Sequence, residues 1–330
     1  MTDRRDLLIL LGAAALAPRV VRAQEKRTPA KIHRIGVLST FLPSDETRWH
    51  HAFRLGLRDL GWVEGKNIGI EYRHAEGKND RLPALAADLV HRKVDIIFAT
   101  TLGAALAARN STSSVPIVVA TGGDLVAAGL VERLARPGGN VTGLSQMSQE
   151  LVGKRLELLT QLVPKLSRVA VLWDSQAASA AQSWKEMQPP ARQLGVQLQS
   201  LEVRRVEDLA KAFEDATRAR AGALFIIQGG VIVTNLERIA GLAKKSRLPS
   251  IFYRSEFADA GGLVAYGEDR ADMFRRAATY VDKILKGAKP SDLPIDRATK
   301  FELVVNMTTA KALGITIPPS VLVRADRVIE

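Results

Sequence analysis

With 330 residues and 46% hydrophobic content, the chain is long enough for two cores and apolar enough to fill them. It has no cysteine, which excludes disulfides, thiolate metal sites and a cysteine nucleophile. The net charge of +12 is scattered along the chain, so it argues for solubility or adhesion to an acidic surface and not for nucleic acid.

The chain opens with Arg4-Arg5, an apolar run over 7–17, Pro18, and small residues before Gln24. This is the pattern of a secretory signal peptide, 1–23, too short to span a bilayer as a stable helix. Arg4-Arg5-Asp6-Leu7-Leu8 also fits the twin-arginine form, with an ordinary charged leader as the alternative. Four arginines and two aspartates in the leader account for two of the twelve charges, leaving +10. No cysteine stands at the cleavage site, so a lipoprotein is excluded, and export to the periplasm is expected.

After a polar linker, 32–38 reads as a strand and 46–60 as a helix with Trp49, Phe53, Leu57 and Leu60 on one face. Strand 67–72 and a helix with Pro83 in its first turn follow. Between Val94 and Val131 two short β-branched runs, 94–99 and 116–120, suit strands buried on both faces of a parallel sheet. A helix is expected over 125–134, ending at Arg136-Pro137-Gly138-Gly139, and a short strand over 140–144. The pattern then restarts: helix 151–162, strand 168–173, a helix over 177–194 interrupted by Pro189-Pro190, strand 196–203, helix 206–217 and strand 223–227. Helix 235–246, strands 250–253 and 263–266, helix 270–285, strand 301–306, helix 308–313 and a polar tail complete it. Two successive βαβα arrays predict an α/β protein with two similar lobes.

No Gly-x-Gly-x-x-Gly, phosphate loop, Gly-x-Ser-x-Gly elbow or His-Glu-x-x-His is present. The five histidines lack ligand spacing, and neither a metal nor a cofactor is expected. What recurs is the strand end: Ser39-Thr40, Thr100-Thr101, Thr121-Gly122-Gly123-Asp124, Asp174-Ser175, Gln228-Gly229 and Tyr266-Gly267. In open α/β sheets ligands sit beyond the carboxyl ends of strands. Hydroxyls and backbone N–H groups there suit a carboxylate, and Asp124, Asp174 or Glu256 an ammonium. Phe41, Trp173, Tyr253 and Tyr266 suit an apolar or aromatic group. Each has a structural alternative: Thr and Asp after strands are ordinary helix caps, and Trp173 is equally a core residue. Trp49 and Trp62 read as packing residues, and Trp184 as a helix-face residue.

Several segments, in order, carry a family resemblance. They include Arg34-Ile35-Gly36-Val37-Leu38-Ser39, Gly56-Leu57-Arg58-Asp59-Leu60-Gly61-Trp62, Ala135-Arg136-Pro137-Gly138-Gly139-Asn140 and Leu285-Lys286-Gly287-Ala288-Lys289-Pro290. The chain resembles ABC-importer substrate-binding proteins of the tryptophan/tyrosine type over about its whole exported length. The resemblance implies a type I periplasmic-binding fold, two Rossmann-like lobes joined by a three-stranded hinge that close on a solute. It implies delivery to an inner-membrane permease driven by a cytoplasmic ATPase, and ligands that are aromatic or related amino acids. Two positions depart from the family pattern: Leu125 follows Asp124 where the family has Pro, and Gln228 stands where it often has an acidic residue.

The expected lobes are 32–147 plus 262–290 and 148–261 plus 298–325, with crossings near 146–150, 260–262 and 286–297. The expected function is a monomeric, non-catalytic exported receptor of an ABC importer that captures a small molecule, an aromatic or other amino acid or a related carboxylate, between its lobes by hinge closure. A ligand-sensing partner of a membrane receptor would use the same fold. An exported α/β enzyme would need a positioned base that no motif supplies.

Overall fold

The computed structural model describes residues 31–121, 124–146 and 148–330, so the leader (1–23) and Gly122-Gly123 lie outside the described residues. The first lobe begins with β1 (His33–Ser39), α1 (Pro43–Asp59), β2 (Ile68–His74), α2 (Leu82–His91) and β3 (Ile96–Ala99). It continues through α3 (Leu102–Ser111), β4 (Ile117–Thr121) and β5 (Val141–Ser145). These strands read as apolar runs because both faces are covered. Ile96 and Phe98 enter one core cluster, and Ile97 and Ala99 enter the cluster on the opposite face.

The second lobe contains α4 (Ser148–Leu162), β6 (Arg168–Asp174), α5 (Ala178–Gln193), β7 (Gln197–Val203) and α6 (Asp208–Arg218). It goes on through β8 (Ala223–Ile226), α7 (Gly230–Val233), α8 (Leu236–Lys245), β9 (Ser250–Phe252), α9 (Ser255–Asp259) and β10 (Val264–Glu268). Next, α10 (Arg270–Leu285) returns to pack on α1 of the first lobe, and β11 (Asp296–Arg297) pairs with β5. The chain ends in the second lobe with β12 (Phe301–Asn306), α11 (Met307–Leu313), α12 (Pro319–Leu322) and β13 (Arg327–Ile329).

The two sheets run β11-β5-β4-β3-β1-β2 and β13-β12-β10-β9-β8-β6-β7. All pairings are parallel except β10 with β12. Each lobe therefore repeats one order, with a switch point between β1 and β3 and its counterpart between β6 and β8. Residues 32–330 form one unit. Among the described residues, no helix is long and apolar enough to cross a membrane.

Four expectations are corrected. Residues 262–268 belong to the second sheet, because β10 pairs with both β9 and β12; the chain crosses at 268–270, not at 260–262. No helix forms over 125–134: Asp124 Oδ1 accepts from Val126 N and Ala127 N, and Gly129 turns the chain at φ +71°. Leu125, Leu130 and Val131 are buried all the same. Pro189-Pro190 does not interrupt α5, where the Pro190 ring lies over the bare surface of Gly153 on α4. The polar tail ends in an edge strand, β13, parallel to β12.

Candidate ligand cleft between the lobes

The first switch point brings together the β1 and β3 tips as the sequence anticipates. Thr40 Oγ1 and Thr101 Oγ1 are 2.8 Å apart. Thr101 also caps α3 by accepting from Ala104 N, and Ser39 Oγ accepts from Phe41 N at 3.1 Å. These local bonds occupy Ser39 and Thr101. Thr100 is fully buried, and its Oγ1 has no hydrogen-bond partner among the described residues. Phe41 lies beneath the Arg254 guanidinium, whose carbon is 5.1 Å from the ring centroid.

In the second lobe the proposed residues separate. Asp174 is buried and spends both oxygens on backbone amides: Oδ1 accepts from Gln176 N and Oδ2 from Val231 N. It ties the β6 tip to the start of α7. We expect Asp174→Ala to lower stability by about 1–3 kcal/mol, the usual cost of leaving buried amides unpaired, with little change in ligand affinity. Melting and titration of the variant measure the two effects separately. Trp173 donates its indole N–H to Ser200 Oγ at 2.8 Å, stacks with Trp184 and belongs to the lobe core. Gln228 is half-buried just beyond β8.

Tyr266 is not at a strand tip. The strand continues to Glu268, and Tyr266 pairs with Leu303 inside the sheet, its ring near Phe301. Asp124 is exposed and holds two amides of its own turn, and Glu256 accepts from Arg254 Nε at 3.3 Å. Tyr253, just past β9, is buried, and its hydroxyl has no hydrogen-bond partner among the described residues. Burial raises its pKa against the opposing pull of Arg254 and Arg270, so it stands here as a neutral phenol.

Several groups that define the site were not singled out from sequence. Arg254, 3% exposed, belongs to the second lobe, yet its guanidinium carbon stands 4.5 Å from the Trp49 ring centroid in the first lobe. Arg270, at the start of α10, approaches the same ring at 4.3 Å and donates to the Thr100 carbonyl. Arg155 of α4 donates to the Tyr266 carbonyl at 2.8 Å and lies 5.9 Å from the Tyr253 ring centroid. Burial lowers the pKa of Arg155, with the charge of Glu268 opposing the shift. Gln146 Nε2 and Glu268 Oε1, at the first and second crossings, are buried and have no partner among the described residues. The available signal was position alone, because Arg254, Glu268 and Arg270 all lie at or just beyond the ends of β9 and β10.

The lobes also touch farther out. Arg48 donates to Ser255 Oγ at 3.2 Å. A methyl group placed on Gly77 would lie 3.3 Å from Thr234 Cγ2. The described residues contain no group of three or more His, Asp or Glu side chains placed to hold a metal ion. The contacts between the lobes therefore bury cations and aromatic rings beside polar atoms that have no hydrogen-bond partner among the described residues.

The fold is that of type I periplasmic binding proteins. Residues 45–329 match the family described as ABC transporter substrate binding protein, and the chain belongs to that family, which is one of solute-binding proteins and not of enzymes. It is 25% identical over 291 residues to a tyrosine-binding protein of Clostridioides difficile, covering 88% of this chain and 84% of the relative. It is similar to a solved ABC domain in complex with L-Trp from Streptococcus pneumoniae: 26% identity, TM-score 0.83, covering 91% of this chain and all of that one. A ligand-free, open structure of a substrate-binding protein with adhesive properties from Clostridium difficile matches with 24% identity and TM-score 0.68, covering 90% of this chain and 99% of that one.

Proposed function

We propose that this protein is the exported receptor of an ABC importer and that it captures an aromatic amino acid, or a closely related carboxylate, between its lobes. The observation that carries this reading is Arg254. A buried cation of one lobe rests on Phe41 and Trp49 of the other, and the Thr100 and Tyr253 hydroxyls have no hydrogen-bond partner among the described residues. Closure thereby assembles a guanidinium, two aromatic rings and polar atoms into one enclosed volume. Guanidinium groups suit a ligand carboxylate, and the rings suit an aromatic side chain. The higher TM-score to the L-Trp complex than to the open, ligand-free structure, at similar identity, supports a closed binding geometry.

The leader pattern of 1–23 supports export, and the twin-arginine pair supports the folded-state route. Family membership supports a membrane permease and its ATPase as partners. Of the candidates read from sequence, Thr40, Phe41, Thr100, Thr101, Gln228 and Tyr253 stay in this proposal as ligand neighbours. Asp124, Asp174 and Trp173 serve the scaffold.

A thermal-shift screen against the twenty amino acids and their aromatic keto and propionic acid analogues tests the reading. A ligand at one hundred times its dissociation constant adds about 2.7 kcal/mol of stability. A clear rise in melting temperature with tyrosine, tryptophan or phenylalanine is the expected result. A screen with no shift from any amino acid or aromatic acid removes it.

A further inference from the structure

The cleft has one acidic group whose role the fold leaves open. Asp124 accepts from backbone amides of its own turn, Asp174 from those of Gln176 and Val231, and Glu256 accepts from Arg254. Glu268 is 6% exposed, and its Oε1 has no hydrogen-bond partner among the described residues. Leaving a buried carboxylate oxygen unsatisfied is costly, so it marks a place for a donor.

The neighbours identify the donor. Glu268 ends β10 beside the β9 tip, where Gly267 packs on the Tyr253 carbonyl. Arg155 links Glu268 and Tyr253: its guanidinium carbon is 5.9 Å from the Tyr253 ring centroid and its Nε donates to the Tyr266 carbonyl, two residues before Glu268 along the strand, and the phenol lies in the field of Glu268. Arg155 also lies in the field of Glu268 but makes no hydrogen bond to its Oε1. An ammonium group offers several N–H donors to a carboxylate oxygen and a phenol oxygen; a ligand carboxylate offers none.

We propose that Glu268, with the Tyr253 hydroxyl as second acceptor, reads the ammonium group of the ligand, so that the cleft takes an α-amino acid in preference to the same aromatic acid without its amine. This rests on the receptor reading above and assigns the group that sets its specificity. The carboxylate end then falls to Arg254 and Arg270, and Arg155 acts as a positioning residue for the β10 tip.

Calorimetric titrations of the purified protein with L-tyrosine, L-tryptophan, 3-(4-hydroxyphenyl)propanoate and indole-3-propanoate test the assignment. The wild type is expected to favour the better-bound amino acid over its deaminated analogue by about 30-fold or more, the scale of a buried charged hydrogen bond. In Glu268→Gln that ratio collapses to about 3-fold or less, through weaker amino acid binding and not through tighter binding of the acid. Tyr253→Phe lowers the ratio by a smaller factor and keeps the test open if Glu268→Gln folds poorly. A wild type that binds amino acid and deaminated acid equally overturns the assignment, as does a folded Glu268→Gln that keeps the wild-type ratio. A wild type that binds none of the four overturns the receptor reading itself, and this assignment with it.

Discussion

Replacing Arg254 by methionine is expected to weaken ligand binding by about 100-fold while leaving the melting temperature of the ligand-free protein within a few degrees of wild type. Methionine keeps the apolar stem and removes the charge. Two contributions to the closed state disappear together. One is the contact of the guanidinium with the Phe41 and Trp49 rings, 5.1 and 4.5 Å away, worth about 0.5–2 kcal/mol when desolvated. The other is the charge-assisted bond to the ligand carboxylate, about 1.5–3 kcal/mol. Their sum spans the ~2.7 kcal/mol that corresponds to 100-fold. The Glu256 side chain, 29% exposed, can be solvated in place of its bond to Arg254. Calorimetric titration of the variant measures the loss, and unchanged affinity would remove Arg254 from the site.

Gly143→Ala has the largest expected effect on stability. Gly143 holds φ +131° in the middle of β5, a conformation that L side chains rarely adopt. A Cβ there would stand 2.2 Å from the Val119 carbonyl oxygen and 2.6 Å from its nitrogen on the paired strand. Backbone cannot give way as a flexible side chain does, so β4 and β5 must separate. Strain of this kind costs about 3 kcal/mol or more, since the torsion and the clash act together. For a chain of this size that lowers the melting temperature by about 5 °C or more. Because β5 leads directly into the first crossing, the variant is also expected to bind ligand more weakly. A variant that melts like wild type would show that the strands tolerate the methyl group.

The strands were legible in the sequence wherever both faces are apolar, as in Ile96–Ala99 and Ile117–Thr121. So was the repetition of the α/β array, because two lobes of one strand order print the same pattern twice. Turn chemistry misled at 125–134, where Val126, Leu130 and Leu134 recur every four residues as in a helix but Asp124 and Gly129 fold the segment into turns. Tyr266-Gly267 looked like a strand end because glycine often punctuates strands. Here Gly267 lies within β10 to admit the Tyr253 backbone, and the true tip is Glu268.

The site was legible as a place more than as a set of groups. Small hydroxyls after strands pointed to one edge, where Thr40 and Thr101 meet and Thr100 is buried. The same rule promoted Asp124 and Asp174, whose carboxylates cap turns. It passed over Arg254, Arg270 and Glu268, which lie at equivalent positions but read as surface charges in a basic sequence. They are buried in a region where contacts join residues more than two hundred positions apart, as Trp49 and Arg254 show.

The most direct test of the account is a titration of the purified wild-type protein with L-tyrosine and L-tryptophan, followed by mass spectrometry of the recovered ligand. Saturable one-to-one binding of at least one of them, with the compound returned unchanged, is the predicted result. Absence of binding to both, or conversion of either compound, would contradict a receptor for aromatic amino acids.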